Sequence, residues 1–195
     1  MFLSTKFKFN DHIDSILNRA NRQLGLIARV FKQRNSKTII PLYTSYVRPL
    51  LENNSIIWSP YTKLYVQKIE RIQEKMCNLI GDLRSLTYQE KLRKLKLQSL
   101  RARRIKHQLI FMYKMKYKFI DLCFDDFFQE NNFKKTRGNA FKLKFPISKT
   151  KFRKNFFACS IIKHWNVLKT SDINVRNTHL FKKKVDNYLN IAKIW

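Results

Sequence analysis

Apolar residues recur three and four apart over most of the first 118 positions, the spacing that puts side chains on one face of an α-helix. From Asp11 to Gln33 the stripe is Ile13, Ile16, Leu17, Ala20, Leu24, Ile27 and Phe31. Gly25 lies inside it; glycine costs a helix about 1 kcal/mol against Ala, so its presence points to a close helix crossing. Ser36 is placed to cap a second helix carrying Ile39, Ile40, Leu42, Tyr43, Tyr46, Val47, Leu50 and Leu51. Pro41 is tolerated near its first turn, whereas Pro49 kinks or divides it. Arg48 and Glu52, four apart, are spaced for an ion pair beside that kink. Ser59-Pro60 reads as N-cap and N1 proline of a third helix, through Leu64, Val66, Ile69, Ile72, Met76, Leu79 and Ile80, which Gly81 ends. Thr87-Tyr88-Gln89-Glu90 has the form of a capping box opening a short fourth helix, and Ser99 caps a fifth from Leu100 to about Lys118.

The pattern then changes. Residues 121–152 hold short aromatic clusters, a turn at Thr136-Arg137-Gly138 and an alternation of Phe141, Leu143 and Phe145, which reads as loop with one candidate edge strand. A sixth helix from Arg153 presents Phe156, Phe157, Ile161, Ile162, Trp165 and Leu168; a seventh follows Asn177. Residues 1–9 alternate Lys with Phe as a short strand does. The predicted fold class is all-α: a helical bundle with a smaller, aromatic-rich helical C-terminal tail. Trp58 and Trp165 are expected in the core.

Composition changes this picture in one respect. Of 195 residues, 41 are Lys or Arg and 13 are Asp or Glu, a net charge of +28 that opposes compaction and favours a polyanionic partner. AT-rich coding would enrich Lys, Asn, Ile and Phe together, but it does not explain so few acids. A hydrophobic content of 44% with 16 Phe is that of a folded chain. Cys77, Cys123 and Cys159 form no C-x-x-C pair, and the four histidines are scattered, so neither a disulfide framework nor a metal site is predicted. No apolar run reads as a signal peptide or membrane span. The first helix has the amphipathic, Arg-bearing form of a mitochondrial presequence, which Asp11 and Asp14 argue against. The expected location is intracellular, in nucleus or cytoplasm, with no membrane contact.

The basic residues cluster. Between Thr87 and Lys118, Lys91, Arg93, Lys94, Lys96, Arg101, Arg103, Arg104, Lys106, Lys114, Lys116 and Lys118 face Glu90 alone. At 100° per residue, Arg103, Arg104 and Lys106 avoid the stripe of Leu100, Ile105, Leu109 and Met112, which predicts an accessible phosphate-binding face. The competing reading is a solvated helix face with snorkelling side chains. A second basic stretch, including Lys134, Arg137, Lys142, Arg153 and Lys154, interleaves Phe133, Phe141, Phe145 and Phe152. Those rings either stack on single-stranded bases or fold inward. The candidate nucleic-acid-binding set is Lys91, Arg93, Lys94, Arg101, Arg103, Arg104, Lys106, Arg137, Arg153 and Lys154.

Several segments occur in an order that carries a resemblance. Leu42-Tyr43-Thr44-Ser45-Tyr46-Val47-Arg48-Pro49-Leu50-Leu51-Glu52 precedes Ser55-Ile56-Ile57-Trp58-Ser59-Pro60. Next come Ile69-Glu70-Arg71-Ile72-Gln73, Leu100-Arg101-Ala102-Arg103-Arg104, Thr136-Arg137-Gly138, and Arg153-Lys154-Asn155-Phe156-Phe157 through Trp165-Asn166. Together they resemble the region past the palm in LINE-like (non-LTR, jockey-type) retrotransposon reverse transcriptases. Asn53 departs from the family's usual Tyr, and Val167-Leu168-Lys169 from its L-P. The resemblance implies a remnant of palm edge over 1–10, a thumb-like bundle over 11–118 and a post-thumb tail over 119–195. It implies a fragment of an RNA-directed DNA polymerase that grips RNA and DNA, as RNA–DNA or duplex primer–template, during target-primed reverse transcription, beside a missing palm and fingers portion. The parent enzyme would need Mg2+ on palm aspartates; Cys123-Phe124-Asp125-Asp126-Phe127 only imitates that motif. This chain is therefore expected to be inactive alone and to hold no cofactor. The alternative is a degenerate relic or helical protein-interaction module with no nucleic-acid function.

Overall fold

The computed structural model describes residues 9–131 and 140–192, and the chain there is all-α. The first stripe forms α1 (Asn10–Val30), burying Ile13, Ile16, Leu17, Ala20, Leu24 and Ile27. The helix stops short of Phe31, which is extended and exposed. Gly25 faces outward: a Cβ built there meets nothing within 4 Å, so the close crossing expected at this glycine does not exist.

Asn35, one residue before the expected Ser36, caps α2 (Ser36–Leu42) by accepting the Thr38 amide at 2.9 Å. The chain then widens into a π-helical turn over Tyr43–Val47, with the Arg48 amide bonded to the Tyr43 carbonyl, before α3 (Arg48–Glu52). Pro49 supplies the reason. It has no N–H, and its ring clashes with the carbonyl four residues earlier, so the wider turn replaces the bond that an α-helix would lose. The predicted division at Pro49 is thus a π-turn ahead of it.

Ser59-Pro60 does not open the next helix. It ends a single turn, α4 (Ser55–Trp58), because proline confines the preceding residue to extended backbone. Helix α5 (Lys63–Leu79) starts three residues later. After a 3₁₀ turn at Gly81–Leu83, the capping box forms with both its bonds and opens α6 (Tyr88–Lys94). Ser99 accepts the Ala102 amide at 3.1 Å at the head of α7 (Leu100–Lys116).

The chain divides into two compact units after Arg103, inside α7. The first has one continuous core from Ile13 to Leu100, with Trp58, Tyr43, Ile69 and Met76 fully buried. The second is built around aromatic residues. Tyr113 stacks on Phe181 with ring centroids 4.1 Å apart, and Trp165 is fully buried with its indole N–H donating to the Phe141 carbonyl. Periodicity alone carried the bundle through Lys118. Tyr113 and Met112 instead belong to the second core.

The expected sixth helix is three short ones: α8 (Lys151–Asn155), α9 (Phe157–Ser160) and α10 (Ile162–Trp165). Phe156 turns to extended backbone, and Phe157 is buried while Phe156 stays exposed. A further turn, α11 (Thr170–Ile173), precedes α12 (Thr178–Ile191), which starts after Asn177 as expected and is capped by its side chain. The candidate edge strand reduces to an isolated antiparallel bridge between Glu130 and Leu143. The Asn166 carboxamide serves Leu143 in place of a second strand, with bonds to its N–H and C=O at 2.9 Å each. Residues 1–8 of the expected N-terminal strand, and the Thr136-Arg137-Gly138 turn, lie outside the described residues.

An exposed glycine in the middle of α1 leads to a direct expectation. Gly25→Ala should stabilise the first unit by about 1 kcal/mol, through helix propensity and a less flexible unfolded chain, seen as a higher urea midpoint at unchanged m-value.

Candidate nucleic-acid interface

The structure sorts the expected basic residues into two groups. Lys91 is 5% exposed, and its ammonium donates to the Asn78 carboxamide at 2.7 Å on α5. Arg103 meets Glu52 with two nitrogens on two carboxylate oxygens, the Nη2–Oε2 contact being 2.9 Å. Arg104 is 2% exposed. Lys106 holds both oxygens of Asp186, at 2.6 and 2.7 Å. The accessible face expected from Arg103, Arg104 and Lys106 is therefore not there. Helix α7 is buried on more than one side, since Ala102, Arg104 and Gln108 are buried as well as Leu109 and Met112, and a single apolar stripe does not describe it.

Arg93, Lys94 and Arg101 remain exposed, with Lys96 beside them. Arg153 and Lys154 are exposed on α8. Arg137 lies outside the described residues. Of the interleaved rings, Phe145 and Phe152 are exposed, whereas Phe141 is partly buried under Lys116, whose ammonium sits 4.7 Å from its centroid. That ammonium also lies 5.1 Å from the Phe124 ring and 2.6 Å from Glu130. Phe133 is outside the described residues.

The expected Arg48–Glu52 pair is replaced by Arg103–Glu52. Arg48 keeps a lowered guanidinium pKa, first because it is partly buried and then because Arg103 lies close, with Glu52 opposing both. An ideal four-residue spacing lost to a partner 51 residues away whose planar fork engages both oxygens at once.

Sequence reasoning quoted Glu70 and Gln73 only as family tags. In the structure they organise the ground on which Arg101 stands. The Glu70 carboxylate accepts the backbone amides of Leu100 at 3.2 Å and Arg101 at 2.6 Å, capping α7 from α5. The Tyr88 hydroxyl donates to the same carboxylate at 2.8 Å, and burial followed by the Glu70 charge pushes its pKa far up. Gln73, fully enclosed, accepts from the Tyr43 hydroxyl at 2.8 Å and donates to the Gln98 carbonyl at 3.0 Å. Two polar residues three apart in an otherwise apolar helix stripe were the available signal.

The scarce acids are mostly committed in this way. Of the 13, Asp14, Glu52, Glu130, Asp172 and Asp186 form ion pairs, and Glu70 and Glu90 cap helices. These carboxylates are held by specific partners, three of them at Glu70, so most of the excess cations are left on the outside.

The Mg2+ implied for the parent enzyme finds no matching donors here. Asp125 and Asp126 are both exposed, and no three His, Cys, Asp or Glu side chains come together among the described residues. They do not fit a two-metal site, which needs carboxylates converging on both ions. No described helix is long and apolar enough to cross a membrane. Comparison with family models, with curated proteins and with solved structures found no match.

One titratable group in the first unit yields a pH expectation. His12 lies edge-on to Trp58, ring centroids 5.9 Å apart, and burial lowers its pKa below the ordinary 6.5. A base with a depressed folded pKa binds protons more readily when unfolded. The stability it contributes is therefore complete above pH 6.5 and is lost as pH falls through that value. His12→Gln should flatten the fall in urea midpoint between pH 7.5 and 5.5.

Proposed function

We propose that this chain is the thumb and C-terminal tail of a non-LTR retrotransposon reverse transcriptase, and that it binds RNA–DNA or duplex nucleic acid through phosphates without regard to sequence. The tags quoted above, in family order, support the assignment. A single observation carries the binding: seven of the 13 acids are held in ion pairs and helix caps while Arg93, Lys94, Arg101, Arg153 and Lys154 stay exposed. Exposed surface cations condense readily on a phosphate backbone, releasing the counterions already there. Catalysis would come from palm aspartates outside this stretch of sequence, which here supplies the grip. Nucleus and cytoplasm both suit such a role.

A second reading, a degenerate relic or helical protein-interaction module, is favoured by the exposed apolar side chains Tyr46, Ile57, Tyr61 and Leu64. An exposed apolar surface of this kind marks a protein partner, and the missing polymerase portion is one such partner.

Salt decides between the two. With about six to ten phosphates engaged, affinity for an RNA–DNA duplex should fall roughly 10³–10⁵-fold between 50 and 200 mM salt. Replacing Arg93, Lys94 and Arg101 together by Ala should lower the logarithmic salt slope by up to about three units. Arg103→Ala should instead reduce stability by about 3–5 kcal/mol, the cost of stranding a mostly buried carboxylate, and leave the slope of the folded fraction unchanged. A flat salt response in filter binding contradicts the proposal and favours the interaction module.

A further inference from the structure

A cleft of about 620 Å³ opens within the first unit, between α1 and the turn that joins α3 to α4. Its size is that of a site for one small molecule. Ile16, Leu50 and Pro49 give it apolar lining, and the His12 ring, held against Trp58, adds an aromatic surface. Its polar lining is Arg19, Glu52, Asn53 and Asn54.

The chemistry of those groups restricts the ligand. Glu52 is already engaged by Arg103 with both oxygens, so it neither repels an anion nor invites a cation. Arg19 is exposed and forms no ion pair among the described residues, leaving one positive charge at the cleft. One guanidinium suits a monoanionic or dianionic group and is too little for a polyphosphate. Neither Asn carboxamide is hydrogen-bonded to a neighbour among the described residues; the bond at Asn53 is made by its backbone carbonyl, which accepts from the Trp58 indole at 2.7 Å. That bond fixes the turn, and Asn54 sits within it at φ 53°, a left-handed conformation Asn tolerates. A carboxamide presents a donor beside an acceptor, the arrangement that matches the N6 amino group and N7 of adenine on one edge. Arg19, Asn53 and Asn54 are exposed to solvent, and an apolar ligand would make no use of them.

We propose that this cleft binds a purine nucleotide, with the base against the apolar and aromatic lining, its edge read by Asn53 or Asn54, and its phosphate paired with Arg19. None of Arg93, Lys94, Arg101, Arg153 and Lys154 lines the cleft, and the proposal does not depend on the duplex-binding reading. The nucleotide is either free or part of a strand.

The protein's own backbone supplies a clean test. Asn54→Gly removes the carboxamide while keeping the left-handed turn, which glycine adopts without strain. Asn53→Ala keeps the carbonyl that holds Trp58. Binding of AMP, of ribose 5-phosphate as the base-free probe and of a short oligoadenylate is measured by equilibrium dialysis on the full chain. About 0.3 M salt is used, to weaken the sequence-independent phosphate contacts. The expected result is that AMP or the oligoadenylate binds more tightly than ribose 5-phosphate. At least one of the two variants, with its melting temperature unchanged, should lose roughly ten-fold or more. A response to AMP assigns a free nucleotide; a response to the oligoadenylate alone assigns a purine within a strand. Ribose 5-phosphate binding as well as AMP, or full binding in both variants, overturns the proposal, and neither outcome bears on the salt dependence of duplex binding.

Discussion

The Glu70 carboxylate joins three helices of the first unit at one point. From α5 it closes the exposed amides at the head of α7, and it takes the hydroxyl of Tyr88 from α6. Helix heads carry unsatisfied N–H groups and a partial positive charge, so an anion there both completes hydrogen bonds and opposes the dipole. Gln73, one turn further along α5, ties in Tyr43 and the Gln98 carbonyl. The register of α5, α6 and the start of α7 therefore depends on two polar side chains in a helix face that is otherwise apolar.

This arrangement explains how a chain of net charge +28 folds at all. Carboxylates are too few to balance the charge by number, so they act by position. Glu52 takes the fork of Arg103, Asp186 takes Lys106, and Glu130 takes a lysine already between two phenyl rings. Arg103, Lys106 and Lys116 are each neutralised by one carboxylate, Lys91 is held by the Asn78 carboxamide, and Arg93, Lys94, Arg101, Arg153 and Lys154 face solvent. A surface left basic in this way is drawn to phosphate, and the proposed grip on nucleic acid follows from the same scarcity that shapes the interior.

Features governed by local geometry were legible in the sequence. The α1 stripe, the Thr87–Glu90 capping box and the helix start after Asn177 each depend on residues within a turn or two, and they stand where the sequence pattern puts them. Features set at long range were not. Nothing near Arg103 or Lys106 announces that Glu52 or Asp186 will reach it, so a wheel projection put both cations outside. Ser59-Pro60 carries the chemistry of a helix start, yet the restriction that proline places on its predecessor made it a helix end. The break at Phe156 has no Pro or Gly to signal it. Of the candidate interface, Arg93 and Lys94 of α6, Arg101 at the head of α7 and Arg153 and Lys154 of α8 stay exposed, and Arg103, Arg104 and Lys106 within α7 do not.

The most direct test compares two acids of the first unit that carry equal charge and unequal roles. Asp82 is exposed, whereas Glu70 caps α7. Removing either raises the net charge by one. In urea denaturation at neutral pH, Glu70→Ala should cost about 2–3 kcal/mol, the scale of charge-assisted hydrogen bonds lost and partners left unsatisfied. Asp82→Ala should stay within about 0.5 kcal/mol. Equal losses in the two variants would mean that the carboxylates act only by offsetting charge, and would contradict this account of the fold.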